Sequence, residues 1–359
     1  MRCSWCERDV PEADLRTTDR NRKICIQCID REGGYIRPCV VCGVWWVEGG
    51  SICRNCRDEY STCCECGCVV EVDTLSFERL SRCNSCASDF ATCGECGGFV
   101  RINDMVDGMC ERCYGYQIIH PYNYRPSLTF NGKGPLYFGV EVEVECNPSR
   151  NRMEEARNLL SEFPPGGLYW LMHDGSLDYG YEIGTHPCTL KYHQTKFPWS
   201  KMLKYLRQVH CTGSTCGLHV HISKVALTAT EQMKLQYFVH NQTNLMWCLA
   251  RRNGGEYTKF LDKKLSRRDL PLDTRDRHEA VNLSNRDTVE IRIFKGTLDR
   301  LVVLASIELC HALVSYVRTI NFNDLKLSNK ARVDFLEMIM RTPKTYWFLP
   351  EYLRHLQIV

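Results

Sequence analysis

The sequence has no uninterrupted run of ~18 apolar residues, the length a membrane-crossing helix needs. Its opening residues, Met1-Arg2-Cys3-Ser4-Trp5-Cys6, also have no apolar core of the kind a secretion signal carries. The first absence points away from a membrane partner. The second points to the cytoplasm, where thiols stay reduced. A surplus of basic charge is missing from the N-terminal third. Residues 1–120 hold 14 Lys and Arg against 19 Asp and Glu. Each four-thiolate zinc site adds a formal charge of about −2, so four of them make that region still more acidic. A nucleic-acid footprint needs the opposite balance, so nucleic acid is the less favoured partner. Paired cysteines are missing from the rest of the chain. Cys146, Cys188, Cys211, Cys216, Cys248 and Cys310 form no CxxC, and the expectation is that most of them are buried as small apolar groups. Cys211 and Cys216 are close enough in sequence for a redox pair, which nothing else supports.

What is present is concentrated. Of 24 cysteines, 18 precede residue 114, in eight CxxC pairs with two left over. Taken in order they form four CxxC…CxxC units: Cys3, Cys6, Cys25 and Cys28; Cys39, Cys42, Cys53 and Cys56; Cys63, Cys66, Cys83 and Cys86; Cys93, Cys96, Cys110 and Cys113. The spacers are 18, 10, 16 and 13 residues. An internal repeat, Thr62-Cys63-Cys64-Glu65-Cys66-Gly67 against Thr92-Cys93-Gly94-Glu95-Cys96-Gly97, marks Cys63 as a ligand and leaves Cys64 and Cys68 as spares. Two CxxC turns close a tetrahedron of thiolates with no open position, which is a structural zinc site. Such a metal supplies folding energy to a segment with little core. About four Zn2+ are expected. Sequential and cross-braced pairing of the units both stay open. A disulfide framework is the competing reading, disfavoured by the missing signal. Trp45, Trp46, Arg54 and Arg57 could touch RNA, but the acidic balance favours docking of a protein or peptide.

Beyond a linker expected over 116–134, the pattern changes. In Val140-Glu141-Val142-Glu143-Val144-Glu145 valines and glutamates alternate, which on a strand puts the valines on one face and three carboxylates on the other. Gly217-Leu218-His219-Val220-His221-Ile222 repeats the device with two imidazoles. Val289-Glu290-Ile291-Arg292-Ile293 repeats it with Glu290 and Arg292. Between the first two strands lie His173-Asp174-Gly175-Ser176 and Tyr181-Glu182-Ile183. If these strands share a sheet, Glu141, Glu143, Glu182, His219, His221 and Glu290 line one surface. A set dominated by carboxylates suits Mg2+ or Mn2+. Helical periodicity is expected over 153–163, 199–209, 228–251, 298–320 and 331–341, with Thr228 and Glu231 as a capping box. The fold class is therefore α+β: an antiparallel-rich sheet with helices behind it, over 135–359, preceded by a small zinc-stabilised array over 1–115. The polar stretch 251–277 is rich in Lys and Arg, with Lys263, Arg267 and Arg277 as phosphate-binding candidates. A solvated surface loop is the alternative there.

At these residues the chain resembles the amidoligase family, grouped with glutamate–cysteine ligases and glutamine synthetases and often found in phage genomes. The matching elements are Phe138-Gly139-Val140-Glu141-Val142-Glu143, Asp174-Gly175-Ser176 with Glu182, Gly217-Leu218-His219-Val220-His221-Ile222, Val281-Asn282, and Glu290-Ile291-Arg292 with Gly296-Thr297-Leu298, in that order over roughly 136–300. The zinc array lies outside the resemblance. The resemblance implies a glutamine-synthetase-like sheet and ATP-dependent ligation of a carboxylate to an amine through an acyl phosphate. It implies two or three Mg2+ held by Glu141, Glu143, Glu182, His219 and Glu290, with Arg292 on the transferring phosphoryl group. His221, Asp174 and Asn282 are implied substrate contacts. Glu145 departs from a bare ExE pair. Such an enzyme would act in the cytoplasm, a host's if phage-encoded. Two other readings compete. One is a non-catalytic scaffold that binds protein through the array and carries a relic ligase domain. The other is a metal-dependent hydrolase using His219 and His221, for which no further histidine cluster completes a three-histidine site.

Overall fold

The computed structural model describes residues 1–18, 20–31, 36–46, 50–76, 81–209, 216–252, 258–260, 265–266 and 277–359. The chain divides into two units, Met1–Tyr114 and Gly115–Val359.

The first unit is built from short hairpins, each closing on a cysteine cluster. The last two modules share one element order. In the third, Tyr60–Thr62 pairs with Val69–Glu71, and Leu75–Ser76 with Arg82–Cys83 before the helix Asn84–Ala87. In the fourth, Phe90–Thr92 pairs with Phe99–Arg101, and Met105–Val106 with Met109–Cys110 before the helix Glu111–Ile118. The turn after each leading CxxC folds back on itself: Gly67 N donates to the Cys63 carbonyl and Gly97 N to that of Cys93. Gly67 and Gly97 stand at φ of 74° and 68°, the left-handed region that glycine enters without a Cβ clash. Among the described residues, few apolar side chains besides the cysteines pack in each cluster. The clusters consist of cysteines with a handful of partners, such as Ile24, Ile29 and Ile36 in the first and Trp46 and Ile52 in the second. Trp46 is fully buried and Arg57, itself exposed, lies 4.9 Å over its ring, so this indole is not free for base stacking.

In the second unit six strands form one antiparallel sheet: β1 (Phe138–Glu145), β2 (Tyr169–Met172), β3 (Gly180–Thr185), β4 (Gly217–Ser223), β5 (Val281–Asn282) and β6 (Thr288–Lys295). Their order across the sheet is β2-β3-β1-β4-β6-β5. The mixed helix-and-sheet class and the antiparallel sheet match the expectation from alternation. Val140, Val142, Val144, Leu218, Val220, Ile222, Val289 and Ile291 are all buried on one face. The helix Arg300–Thr319 touches β4, and its His311 ring lies 6.0 Å from Phe138. That helix is long and apolar enough to cross a membrane, and 78% of its most apolar window is buried inside the fold. The sequence shows no unbroken apolar run there because Glu308, His311 and Arg318 interrupt it.

Two expectations need correction. The single helix over 228–251 is two, Ala229–Asn241 and Thr243–Ala250. The break falls where Asn241 exchanges hydrogen bonds with the Leu265 backbone and Gln242 donates to Ser328. The capping box of Thr228 and Glu231 is present. The stretch expected as a linker opens inside the helix Glu111–Ile118, and Ile118 and Ile119 are buried. The later cysteines are mostly buried, as expected: Cys146, Cys188, Cys216 and Cys310 are buried and Cys248 is exposed, while Cys211 lies outside the described residues.

Candidate functional site

The cysteines of the first unit gather as four tetrads in sequential order, Cys3/Cys6/Cys25/Cys28, Cys39/Cys42/Cys53/Cys56, Cys63/Cys66/Cys83/Cys86 and Cys93/Cys96/Cys110/Cys113. Cross-braced pairing is not what forms. Inner sulfurs stand 3.8 Å apart for Cys6 and Cys25, 3.7 Å for Cys42 and Cys53, and 3.9 Å for both Cys66–Cys83 and Cys96–Cys110. Four thiolates at ~2.3 Å from one ion would lie ~3.8 Å apart, so the tetrads have the size of a zinc site. Backbone amides of Cys25, Cys53, Cys83 and Cys110 donate to the leading sulfurs of Cys3, Cys39, Cys63 and Cys93. Burial opposes ionisation of Cys3 and Cys39, but backbone amides outweigh it, those of Cys6 and Cys25 at the first and of Cys53 and Cys42 at the second, bringing both thiols down to about 6. At Cys63 and Cys93 the amides dominate, with the same result of about 6. A thiolate is therefore favoured at one corner of each tetrad. The closing cysteines Cys28, Cys56 and Cys113 are pushed up to about 12, burial leading at the first two and the neighbouring Cys110 at the third. Thiols held so close need positive charge before all four ionise. Cys64 and Cys68 are exposed and stand outside the tetrads.

The second site is the other face of the six-stranded sheet. Register alone arranges it in three rows. Met172, Glu182 and Glu143 lie opposite one another across β2, β3 and β1. One step along, Trp170, Gly184, Glu141 and His219 form the next row. The third contains Gly139, His221, Glu290 and Asn282. Cross-strand neighbours on one face sit ~4.5–5.5 Å apart at Cβ, so four carboxylates and two imidazoles are forced together by pairing.

The contacts are dense. His221 Nε2 is 2.9 Å from Glu141 Oε1, off the N–H axis, so it is a charge contact more than an aligned hydrogen bond. His219 Nδ1 lies 3.3 Å from Glu141 Oε2 and 3.7 Å from Glu290 Oε1, and its Nε2 lies 3.8 Å from Glu143 Oε1. Both imidazoles thus meet the carboxylates. Glu141, His221 and Glu290 each offer a donor atom within 4.8 Å of the others, the size of a metal-binding group. Arg292 donates to Glu290 Oε1. Asn282 and Asn285 both donate to Glu290 Oε2, at 2.9 and 3.1 Å.

Ionisation follows from this crowding. Burial works against the Glu141 carboxylate, but the facing His221 and His219 hold it well below the usual range. Burial also opposes charge on His221, and Glu141 and Glu290 overcome it, raising the imidazole to about 9. Glu182 goes the other way: burial first, then the charges of Glu141, Asp174, Glu143 and Glu290 push its acid well above the carboxylate range. Its Oε1 is buried without a hydrogen-bond partner among the described residues. Ionising Glu182 therefore requires added positive charge, which a divalent cation would supply; the oxygen donors of Glu141, Glu143, Glu182 and Glu290 fit a hard ion.

Other sequence candidates divide. Asp174 closes a turn with Ser176 while lying near enough to act on Glu182. Glu145 takes no part in the cluster: its carboxylate accepts from the backbone amides of Asp178 and Tyr179 and fixes the loop before β3. Arg277 is exposed and donates to the Tyr122 hydroxyl. Lys263 and Arg267 lie outside the described residues. Sequence reasoning missed Thr288, 3.0 Å from His221 Nδ1 through its hydroxyl, and Asn285. It also missed Gly217, where a Cβ would come within 2.8 Å of His219 Nε2 and 3.3 Å of the Glu143 oxygens. Small residues at alternating strand positions were the available signal. No protein-family model matches the chain, and no curated protein matches it.

Proposed function

We propose that the second unit is an ATP- and Mg2+-dependent carboxylate–amine ligase of the amidoligase kind, with a glutamine-synthetase-like sheet. The observation that carries this reading is Glu182: a buried acid with an unpartnered oxygen, facing Glu143, in a cluster short of positive charge. The overall reaction moves the γ-phosphoryl group of ATP to a carboxylate oxygen, leaving ADP. An ammonium-form amine then gives amide, hydrogen phosphate and one proton, as the new C–N bond replaces the C–O bond to phosphate.

Mg2+ would supply charge neutralisation for the phosphates. Glu141, His221 and Glu290 would hold one ion, and Glu143 with Glu182 a second. His219 touches carboxylates of both sets. Arg292, which donates to Glu290, is suited to charge on a transferring phosphoryl group, because a guanidinium meets phosphate in a two-pronged fashion. Asn282 and Asn285 consume one oxygen of Glu290 and so fix which oxygen faces the cluster. A protein or peptide acceptor docked on the zinc array would be raised in effective concentration near the site. The setting is the cytoplasm, the host's if the chain is phage-encoded.

The test is ATP turnover by purified protein with Mg2+ and a pool of amino acids, polyamines and cell lysate, beside a Glu141→Gln/Glu143→Gln control. ADP and phosphate released by the wild type and not by the control support the ligase. No turnover and no Mg2+-dependent ATP binding would leave the zinc array as the functional part, on a non-catalytic scaffold.

A further inference from the structure

The row through Glu141 ends in an aromatic group that no role above has used. Trp170 on β2 and Glu141 on β1 flank Gly184 on β3. The indole lies across that glycine: a Cβ at position 184 would fall 2.6 Å from Trp170 Cε2, 2.7 Å from Cζ2 and 3.0 Å from Nε1. The ring therefore leans over the middle strand toward Glu141. It is held there from two sides, by its N–H on Met172 Sδ at 3.2 Å and by an edge-on contact with His186 at 5.1 Å between centroids. Trp170 itself is only partly buried.

In register with the ring the first charged side chain is the Glu141 carboxylate, with His219 and the positively charged His221 on the strand beyond it. The next row holds Glu182 and Glu143, and Asp174 acts on Glu182. Arg292 stands on β6, three strands beyond β3. An indole face attracts cations, and any carboxylate charge of the cluster that a metal ion does not neutralise adds to the same attraction. A neutral purine would gain nothing from those carboxylates, whereas phosphates belong on the Arg292 side. We propose that Trp170, seated on Gly184, forms one wall of the acceptor subsite and selects a cationic primary amine. This rests on the ligase reading for its part in turnover, but not for the binding itself.

The test is a fluorescence titration of full-length wild type and Trp170→Phe with n-butylammonium at neutral pH, and with 1-butanol as the neutral isostere. A saturable change in wild type that is absent in Trp170→Phe and absent with the alcohol supports the subsite. Butylammonium affinity in Gly184→Ala, whose new methyl displaces the indole, should fall about tenfold. Equal responses to amine and alcohol, or an unchanged titration in Trp170→Phe, overturn it. A Trp170-dependent response to adenosine in place of the amine overturns it too, in favour of base stacking. Mg2+-dependent ATP binding is measured in the same samples. ATP binding without an amine response sinks this inference alone, and an amine response without ATP binding sinks the ligase and leaves the subsite standing.

Discussion

Glu143 and Glu182 face each other directly across two antiparallel strands, both buried, with Glu182 Oε1 lacking a partner among the described residues. Like charges directly opposite on a sheet destabilise it. At neutral pH Glu182 must take up a proton to stay buried among these charges, a cost that Glu182→Gln removes while keeping the shape. The substitution should raise the melting temperature of metal-free protein by a few degrees, on the order of 1–2 kcal/mol, while weakening Mn2+ binding measured by calorimetry at least tenfold. If Mn2+ bound the variant as tightly as wild type, Glu182 would not be an ion ligand.

The array should bind four zinc ions per chain. Cys39→Ser should lower the zinc content measured by elemental analysis by one, whereas Cys64→Ser and Cys68→Ser should leave it at four. A strong chelator should melt the first unit, because the modules have cysteine-centred clusters in place of a core. Zinc loss from the Cys64 or Cys68 variants would mean that the tetrads are assigned wrongly.

Glu308 is fully buried on the central helix and accepts from the backbone amides of Trp347, Phe348 and Leu349 at 2.8, 2.9 and 2.7 Å, and from Gln194 at 2.6 Å. It ties the start of the last helix, Leu349–His355, to Arg300–Thr319. Glu308→Ala strands these donors and should cost about 3–5 kcal/mol in urea unfolding. Glu308→Gln, which keeps an acceptor, should cost less than half of that. Equal losses would show that the space filled by the side chain matters more than its hydrogen bonds.

Acid should loosen the second unit before carboxylates titrate. Burial holds His193 neutral, with its imidazole pushed down to about 4 against the weaker pull of the Phe138 carbonyl. The unfolded chain has an ordinary imidazole near 6.5, so below that pH it takes up protons that the fold refuses. This stability is whole above about pH 6.5 and is lost progressively as the pH falls toward 4, up to roughly 3 kcal/mol. His240 and His311, also lowered to about 4 chiefly by burial, add in the same direction. Urea unfolding at pH 7.5 and pH 5 checks the sign, and greater stability at pH 5 would contradict it. His193→Gln should flatten the difference.

Much of this was legible from residue order. The CxxC spacing named all sixteen members of the four tetrads, since paired two-residue gaps let four sulfurs converge on one point in a core-poor segment. Alternation placed Glu141 with Glu143, His219 with His221 and Glu290 with Arg292 on single faces, because the side-chain period of a strand is two. Strict alternation fails at Phe294. Its neighbour in register jumps from Ile291 opposite Val220 to Phe294 opposite Leu218, so one extra residue on β6 returns Phe294 to the core.

Sequence by itself thus determined the cysteine array, the polar and apolar faces of each strand, and the carboxylate-rich chemistry of one of them. Only the tertiary structure decided that the four cysteine units close in order, that Glu145 serves a loop, and that Trp170 leans over Gly184 toward Glu141. The physical reason is range. Periodicity is a property of neighbours along the chain, whereas pairing register between strands dozens of residues apart is settled by which arrangement buries the aliphatic face and satisfies the backbone.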